Sequence, residues 1–236
     1  MCNLKSNKTL EEFKTYLNEL SNLDNLDILT LFPSSLYLSV MSDYNINFGS
    51  QDISVYTDGS STGEVTAKQV KSTNAQYTII GHSERRNKFS EDELLLLKKI
   101  RIALNEKLKV VYCIGETKEE KLRKKTYQVL EKQIAKIFNS LSDEEMDQII
   151  IAYEPVWAIG GGNPASKKGI AEISEFIKKI ILDYYDKDIK VLYGGSVNSG
   201  IIADFDKIKT IDGYLVGSAS LKTEEVAKML QIISNK

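Results

Sequence analysis

The apolar residues of this chain fall into short runs, and longer amphipathic stretches separate most of these runs. The run Ile149-Ile150-Ile151-Ala152-Tyr153 has no polar alternation, which is typical of a strand buried on both faces of a parallel sheet. Comparable runs predict strands at residues 28–32, 45–50, 77–81, 109–113, 149–153, 189–193 and 213–216, with a short first strand at 2–5. The pattern therefore predicts eight strands with helices between most of them.

Signals for helix starts accompany this alternation. Thr9, Ser90 and Ser142 are each followed three residues later by a glutamate, which is the pattern of a capping box. Thr223 is predicted to cap a last helix that runs through Leu230.

The order of elements predicts the fold class. Strands that alternate with helices form a parallel sheet, and eight such units in 236 residues fit a closed, eight-stranded (β/α)8 barrel. A doubly wound open sheet is the alternative, although no GxGxxG follows the first strand. No linker or change of composition divides the sequence, so we expect one domain over residues 1–236.

Composition removes several classes of function. With 31 Lys+Arg against 33 Asp+Glu, the net charge of -2 gives no global basic field for nucleic acid, although a local pocket for a small anion remains possible. Cys2 and Cys113 are far apart, and no CxxC or Cys/His cluster predicts a disulfide framework or a metal site. No apolar stretch has the length of a signal peptide or a membrane span, so the cytoplasm is the default expectation.

Several strands end on residues that carry chemistry. A parallel barrel assembles its active site at the carboxyl ends of its strands. Glycine turns that precede helices expose backbone N–H groups suited to phosphate, and in barrels such sites commonly follow strands seven and eight. The strand ends in question carry Asn3 and Lys5 on the first strand, His82 on the fourth, Glu154 on the sixth, Gly194-Gly195-Ser196 on the seventh and Gly217-Ser218 on the eighth.

Each of these residues also has an ordinary structural interpretation. Glu154 and the glycine-ended loop after it could be a catalytic base under a movable cover, or a strand-end salt bridge followed by a plain loop. On that segment alone the two interpretations are equally weighted. A lone histidine such as His82 is more often structural, and Lys5 alone would be a surface lysine. The combination at one end of a barrel favours a catalytic site.

The motifs resemble those of one known family. The following segments, in this order, are similar to triosephosphate isomerase: Asn3-Leu4-Lys5, Ile80-Gly81-His82-Ser83-Glu84-Arg85-Arg86, Cys113-Ile114-Gly115-Glu116, Ala152-Tyr153-Glu154-Pro155-Val156-Trp157-Ala158-Ile159-Gly160, Tyr193-Gly194-Gly195-Ser196-Val197-Asn198 and Gly213-Tyr214-Leu215-Val216-Gly217-Ser218-Ala219-Ser220-Leu221. Thr62-Gly63-Glu64 resembles the tip of that family's interface loop. The matches span nearly the whole chain.

The resemblance implies a TIM barrel that interconverts dihydroxyacetone phosphate and D-glyceraldehyde 3-phosphate, in glycolysis and gluconeogenesis, without metal or organic cofactor. It implies that Glu154 moves a proton between two carbons through an enediolate, while a neutral His82 polarises the carbonyl. The resemblance also implies a homodimer in which the Thr62 loop reaches toward the partner subunit's Asn3 and Lys5. The remaining implied roles are positive charge from Lys5, orientation of the substrate by Asn3, a phosphate grip from Gly160, Ser196, Gly217 and Ser218, an accessory role for Glu84, and packing of Cys113 near Glu154.

The chain departs from the family pattern at four places. Strand one is short, Leu4 stands where a tryptophan is usual, Pro164 lies in the far hinge of the loop after Glu154, and Ser218 replaces a common glycine. Two other functions therefore stay open. One is a phosphate-binding barrel enzyme with a different substrate, and the other is a binding or scaffold protein that has lost turnover.

Overall fold

The computed structural model of the 236-residue chain describes residues 1–159, 165–205 and 207–235. Eight parallel strands form one sheet in the order β1-β2-β3-β4-β5-β6-β7-β8. Their bounds are β1 Cys2–Asn3, β2 Thr30–Phe32, β3 Asn47–Ser50, β4 Tyr77–Ile80, β5 Lys109–Ile114, β6 Ile149–Tyr153, β7 Lys190–Tyr193 and β8 Gly213–Tyr214. All eight predicted strands are thus present, and most are shorter than predicted.

The shortening of the second strand has a local cause. The strand predicted at 28–32 begins only at Thr30, because Leu26–Ile28 form a 3-10 turn that closes with the Leu29 N–H on the carbonyl of Leu26.

The sheet closes on itself in spite of the short first strand. The Met1 amine donates to the carbonyl of Tyr214 (3.0 Å), and the Val216 N–H donates to the carbonyl of Met1 (2.9 Å). The Asn3 N–H then donates to the carbonyl of Val216 at 2.8 Å. These bonds join β1 to the segment of β8, and the predicted closed (β/α)8 barrel is confirmed.

Helices of the described residues connect the strands and cover the sheet. The longer helices each bury one stripe, as α1 does with Phe13, Tyr16, Leu17 and Leu20 at helical spacing. The α-helices are α1 Leu10–Leu20, α2 Ala67–Ser72, α3 Ser83–Phe89, α4 Glu93–Asn105, α5 Lys118–Leu122, α6 Thr126–Phe138, α7 Asp143–Met146, α8 Lys167–Tyr185, α9 Ser199–Phe205 and α10 Thr223–Ser234, with 3-10 turns at Ser35–Asp43, Val156–Ala158 and Ser218–Leu221. In the parts of the chain that are described, none of these helices is long and apolar enough to cross a membrane.

Two of the four predicted caps are confirmed and two are wrong. Thr9 and Ser142 form capping boxes with the third residue of their helices. Ser90 instead ends α3 in a left-handed conformation (φ 54°), and Asp92 caps α4 through the Leu95 N–H. Thr223 is the first residue of α10 rather than its cap, because its hydroxyl donates to the Glu19 carboxylate on α1.

Alternate residues of each strand belong to two separate apolar layers. Along β5, Val110 and Tyr112 join the large layer between sheet and helices, whereas Val111 and Cys113 join a small cluster. Because successive strand residues face opposite sides, the small cluster is the interior of the barrel. Its other members are Phe32, Ile79, Ala152, Leu192 and Leu215.

Candidate active site

Lys5 follows β1 in an unusual backbone conformation. Its φ is 51°, a left-handed value that costs a non-glycine residue about 1–2 kcal/mol. The buried Asn3 side chain accepts the Lys5 N–H through Oδ1 at 3.0 Å. The predicted substrate-orienting amide therefore also contacts the backbone of the predicted cation.

The Lys5 ammonium points across the site to Glu84 on α3. The Nζ–Oε1 distance is 2.6 Å. Partial burial alone would raise the pKa of Glu84, but the hydrogen bond and charge of Lys5 outweigh it, and the net pKa is lowered. Glu84 is therefore an ionised partner that holds the ammonium near His82.

His82 stands between β4 and α3 and caps that helix. Its Nδ1 accepts the Glu84 N–H at 3.2 Å, so Nδ1 carries no proton in this contact. The ring is then neutral, with its proton on Nε2. Nε2 lies 3.3 Å from Oε1 of Glu154, and the side chains of both residues are almost fully buried.

Glu154 follows β6 and is held by three groups. Its Oε2 accepts the Ser83 N–H at 3.1 Å, and its Oε1 faces His82. The buried Cys113 side chain hydrogen-bonds to the carboxylate, and burial, reinforced by the negative charge of Glu154, raises the pKa of the thiol well above its usual value. Cys113 therefore stays a thiol beside the carboxylate.

Two glycines make room for Glu154. A Cβ on Gly115 would lie 1.9 Å from the Glu154 carbonyl oxygen, and a Cβ on Gly194 would lie 2.9 Å from its Cγ. Real Cβ contacts of this length do not occur, so the position of Glu154 depends on both glycines.

A cavity of about 1020 Å³ opens beside Lys5. The predicted phosphate turns line it, including Ser196, Gly217 and Ser218, together with Asn7 and Lys222. The Ser196 hydroxyl donates to the carbonyl of Ala158 (2.6 Å), which links the β7 turn to the loop after Glu154.

The structure thus brings most of the predicted residues together. Lys5, Glu84, His82, Glu154 and Cys113 form a continuous chain of contacts, and Lys5 also lines the cavity with the glycine–serine turns. Gly160, predicted to bind phosphate, and Pro164 of the far hinge lie outside the described residues.

Both described flanks of that segment are anchored. The Trp157 indole N–H donates to the buried Glu116 carboxylate at 2.8 Å, and the Lys121 ammonium lies 2.9 Å from the centre of the indole ring. On the other side, the Ala165 N–H donates to the Tyr193 hydroxyl at 3.4 Å.

Sequence reasoning missed two groups around the site. The first is the Ser83 N–H that binds Glu154, because any residue except proline would supply this backbone donor. The second is the pair Gln51-Asp52 directly after β3. Gln51 contacts the Lys5 backbone, and Asp52 belongs to a charge cluster behind α3.

That cluster holds two carboxylates and two cations, of which Lys99 and Glu91 are buried and Asp52 and Arg85 are partly buried. Lys99 Nζ lies 2.6 Å from Asp52 Oδ2 and 2.6 Å from Glu91 Oε1, and Arg85 lies 2.8 Å from each carboxylate. Asp52 Oδ1 and Glu91 Oε2 are buried with no hydrogen-bond partner among the described residues. Since Arg85 lies on α3, the cluster supports the helix that follows His82.

Fold and site together define a class of protein. A closed parallel barrel that groups an ammonium, an imidazole and a carboxylate at the carboxyl ends of its strands has the architecture of a barrel enzyme. The sequence model of one family, described as triosephosphate isomerase, matches residues 1–234. The chain belongs to the triosephosphate isomerase family and is an enzyme, as its motifs predicted.

Individual relatives agree with this assignment. A triosephosphate isomerase of Dictyoglomus thermophilum is 40% identical over 233 residues, covering 94% of each chain. One of Endomicrobium trichonymphae is 36% identical over 239 residues, covering 97% of this chain and 96% of the relative. One of Buchnera aphidicola subsp. Schizaphis graminum is 38% identical over 233 residues, covering 95% and 92%.

Proposed function

We propose that the enzyme interconverts dihydroxyacetone phosphate and D-glyceraldehyde 3-phosphate through an enediolate. The observation that carries the proposal is the grouping of Lys5, His82 and Glu154 at one end of the barrel. His82 lies 3.3 Å from Glu154, and Glu84 lies 2.6 Å from Lys5 and 4.0 Å from His82. Relatives named triosephosphate isomerase support the choice of substrate.

Glu154 is the base in this mechanism. It removes a proton from the carbon next to the carbonyl and returns it to the neighbouring carbon. Both carboxylate oxygens face donors here, namely Ser83 N–H and His82. Substrate binding must therefore turn at least one oxygen toward the reacting carbon.

His82 and Lys5 stabilise the charge that develops on oxygen. Nε2–H is the donor of a neutral imidazole whose other nitrogen is occupied by the Glu84 N–H, so it can polarise the carbonyl and relay a proton between the two oxygens. The Lys5 ammonium adds fixed positive charge. Donors held in place in a buried site stabilise an enediolate more than water does.

The phosphate occupies the cavity beside Lys5. Backbone or side-chain groups of Ser196, Gly217 and Ser218 line this cavity, and Gly160 joins them by its family motif. The Ser196 hydroxyl would exchange the Ala158 carbonyl for a phosphate oxygen. The segment 155–165 is the lid that excludes water from the enediolate, and binding of the non-reacting phosphate supplies the free energy for its closure.

The enzyme acts as a homodimer through the loop 55–64. The base of this loop is tied by the Ser54 N–H to the Val65 carbonyl (2.9 Å), whereas Thr62 at its tip is exposed. Tyr56 and Phe89 are 55% and 63% exposed, and a second subunit would cover such apolar side chains.

The enzyme acts in the cytoplasm, where free cysteines such as the buried Cys2 and Cys113 stay reduced.

A coupled isomerase assay with each triose phosphate tests this function. Glu154→Asp should lower turnover by about 10²–10⁴-fold, since it withdraws the base from the reacting carbon. His82→Ala should lower it by about 10²–10³-fold through loss of the donor. The matched control is Glu172→Asp on an exposed face of α8, which should keep full activity.

Three outcomes would overturn parts of the proposal. Full activity of Glu154→Asp or of His82→Ala removes that residue from the mechanism. If the enzyme converts another phosphorylated sugar but neither triose phosphate, the barrel has a different substrate. Tight binding of 2-phosphoglycolate without turnover by the unmodified enzyme identifies a binding protein.

A further inference from the structure

Gln51 connects the Lys5 segment to the second strand. Its Nε2 donates to the Lys5 carbonyl at 2.8 Å and to the Phe32 carbonyl at 2.9 Å. Phe32 is the last residue of β2, and its carbonyl also accepts the Leu4 N–H at 3.1 Å. A single side-chain amide therefore fixes the peptide that leaves Lys5 relative to the barrel wall.

The held conformation is one that lysine does not favour. Lys5 has a φ of 51°, and its N–H and carbonyl are both bound by side-chain amides, those of Asn3 and Gln51. A left-handed residue that is held from both sides cannot relax to the β or right-handed region without losing these bonds. The backbone direction at Lys5 therefore depends on Gln51.

That direction decides where the ammonium lies. From this backbone the side chain passes Gly217, where an added Cβ would lie 3.6 Å from Lys5 Cε, and ends 2.6 Å from Glu84. A different backbone direction would point the chain away from the cavity and from Glu84.

Gln51 itself is firmly placed. It follows β3 directly, and the next residue, Asp52, is bound to Lys99 and Arg85 in the charge cluster behind α3. The amide is thus carried by a rigid strand end, which is the support that a reactive group needs to keep its geometry.

We propose that Gln51 is a positioning residue of the reaction, which acts by holding Lys5 in its left-handed conformation with the ammonium toward the substrate. The inference rests on the proposed function, because it assigns Gln51 a role through Lys5. Gln51 itself reaches no reacting atom.

The test is a double-mutant cycle between the two residues. Gln51→Met keeps the length of the side chain and removes its donors, and kcat/KM should fall about tenfold to a hundredfold, as expected for a misplaced catalytic group. In a Lys5→Ala background the same change should have no further effect, because its target is gone. Where turnover is too slow to measure, the dissociation constant of 2-phosphoglycolate, measured by calorimetry for the same four proteins, replaces kcat/KM in the cycle.

Gln76→Met is the matched control. The Gln76 side chain also binds the backbone of a strand, accepting the Phe48 N–H at 3.1 Å, but it lies before β4, at the opposite end of the barrel. Its kcat/KM should stay within about twofold of the unmodified enzyme. If Gln51→Met does not fold, Gln51→Glu replaces it, since a carboxylate of the same length cannot donate to the two carbonyls.

The outcomes separate the inference from the function beneath it. Unchanged kcat/KM in the folded Gln51 variants, with activity lost in Lys5→Ala, overturns the role of Gln51 and leaves the isomerase proposal intact. Losses that simply add in the double variant also overturn it, because Gln51 would then act independently of Lys5. Full activity of Lys5→Ala refutes the assigned role of Lys5 itself.

Discussion

The substitution Asp52→Asn tests the energetics of the charge cluster behind α3. Burial raises the pKa of Asp52 from 3.8 to about 6, although the charge and hydrogen bond of Lys99 act in the opposite direction. The neighbouring Glu91 adds to the rise, and Arg85 opposes it. Asparagine keeps the shape and an acceptor oxygen for Lys99 and Arg85, but it cannot ionise.

The sign follows from linkage. A carboxyl whose pKa is raised on folding is more easily ionised in the unfolded chain, so its contribution to stability is complete below pH 3.8 and is lost as the pH rises through about 6. A shift of this size makes ionised Asp52 cost about 3 kcal/mol near neutral pH. Between about pH 7.5 and pH 5, roughly half of that cost disappears, which is about 1.4 kcal/mol.

The assay is urea unfolding at one protein concentration and two pH values. From about pH 7.5 to pH 5, the unmodified protein should gain about 1.4 kcal/mol of unfolding free energy relative to Asp52→Asn. Groups that do not interact with Asp52 titrate in the same way in both proteins, so their contributions cancel in this difference. The control is Asp24→Asn in an exposed loop, measured by the same urea unfolding, which removes a carboxylate outside the charge cluster.

Two results would contradict the reasoning. An equal difference at both pH values would mean that Asp52 does not titrate in this range. A loss of stability of the unmodified protein on acidification, relative to the variant, would mean that Lys99 and Arg85 outweigh burial.

Two further changes test the site and the assembly. Gly115→Ala places a Cβ 1.9 Å from the Glu154 carbonyl oxygen, so it should destabilise the fold by about 1–3 kcal/mol and lower kcat. Gly200→Ala in α9, where the added Cβ meets only an ordinary 3.4 Å contact, should keep the stability and kcat of the unmodified protein. Equal unfolding curves and rates for the two variants would refute the steric argument. Thr62→Arg at the exposed loop tip should raise the dissociation constant of the proposed dimer by about tenfold or more, as measured by light scattering at micromolar concentration. Ser234→Arg at the end of α10 should leave the dissociation constant unchanged. An unchanged dimer in Thr62→Arg would exclude this loop from the interface.

Local sequence was sufficient for the order and type of the elements. The run at Ile149–Tyr153 is a strand with the predicted bounds, because a parallel strand must be apolar on both faces and that requirement is visible in adjacent residues. Thr9 and Ser142 cap their helices because a capping box needs only groups three residues apart. Strand ends such as His82 and Glu154 could likewise be located, since parallel topology places all of them at one end of the barrel.

The failures occur where a distant partner competes for a local group. Ser90 had the capping pattern, but Glu91 is drawn into the interior by Arg85 and Lys99, so α4 begins later and Asp92 caps it. Thr223 likewise lies at a helix start, but its hydroxyl binds Glu19 on another helix. No local pattern contains this information.

By itself, the sequence determined that this protein is a barrel of eight strand–helix units, and its motifs determined the family. Only the tertiary structure decided how Lys5 is held, with a left-handed backbone bound by Gln51 from a strand 46 residues away. It alone decided that the Ser83 N–H holds Glu154 and that Asp52 and Glu91 share one lysine. The physical reason is that periodicity and capping arise between near neighbours, whereas these contacts exist only after the barrel closes and brings separate strand ends together.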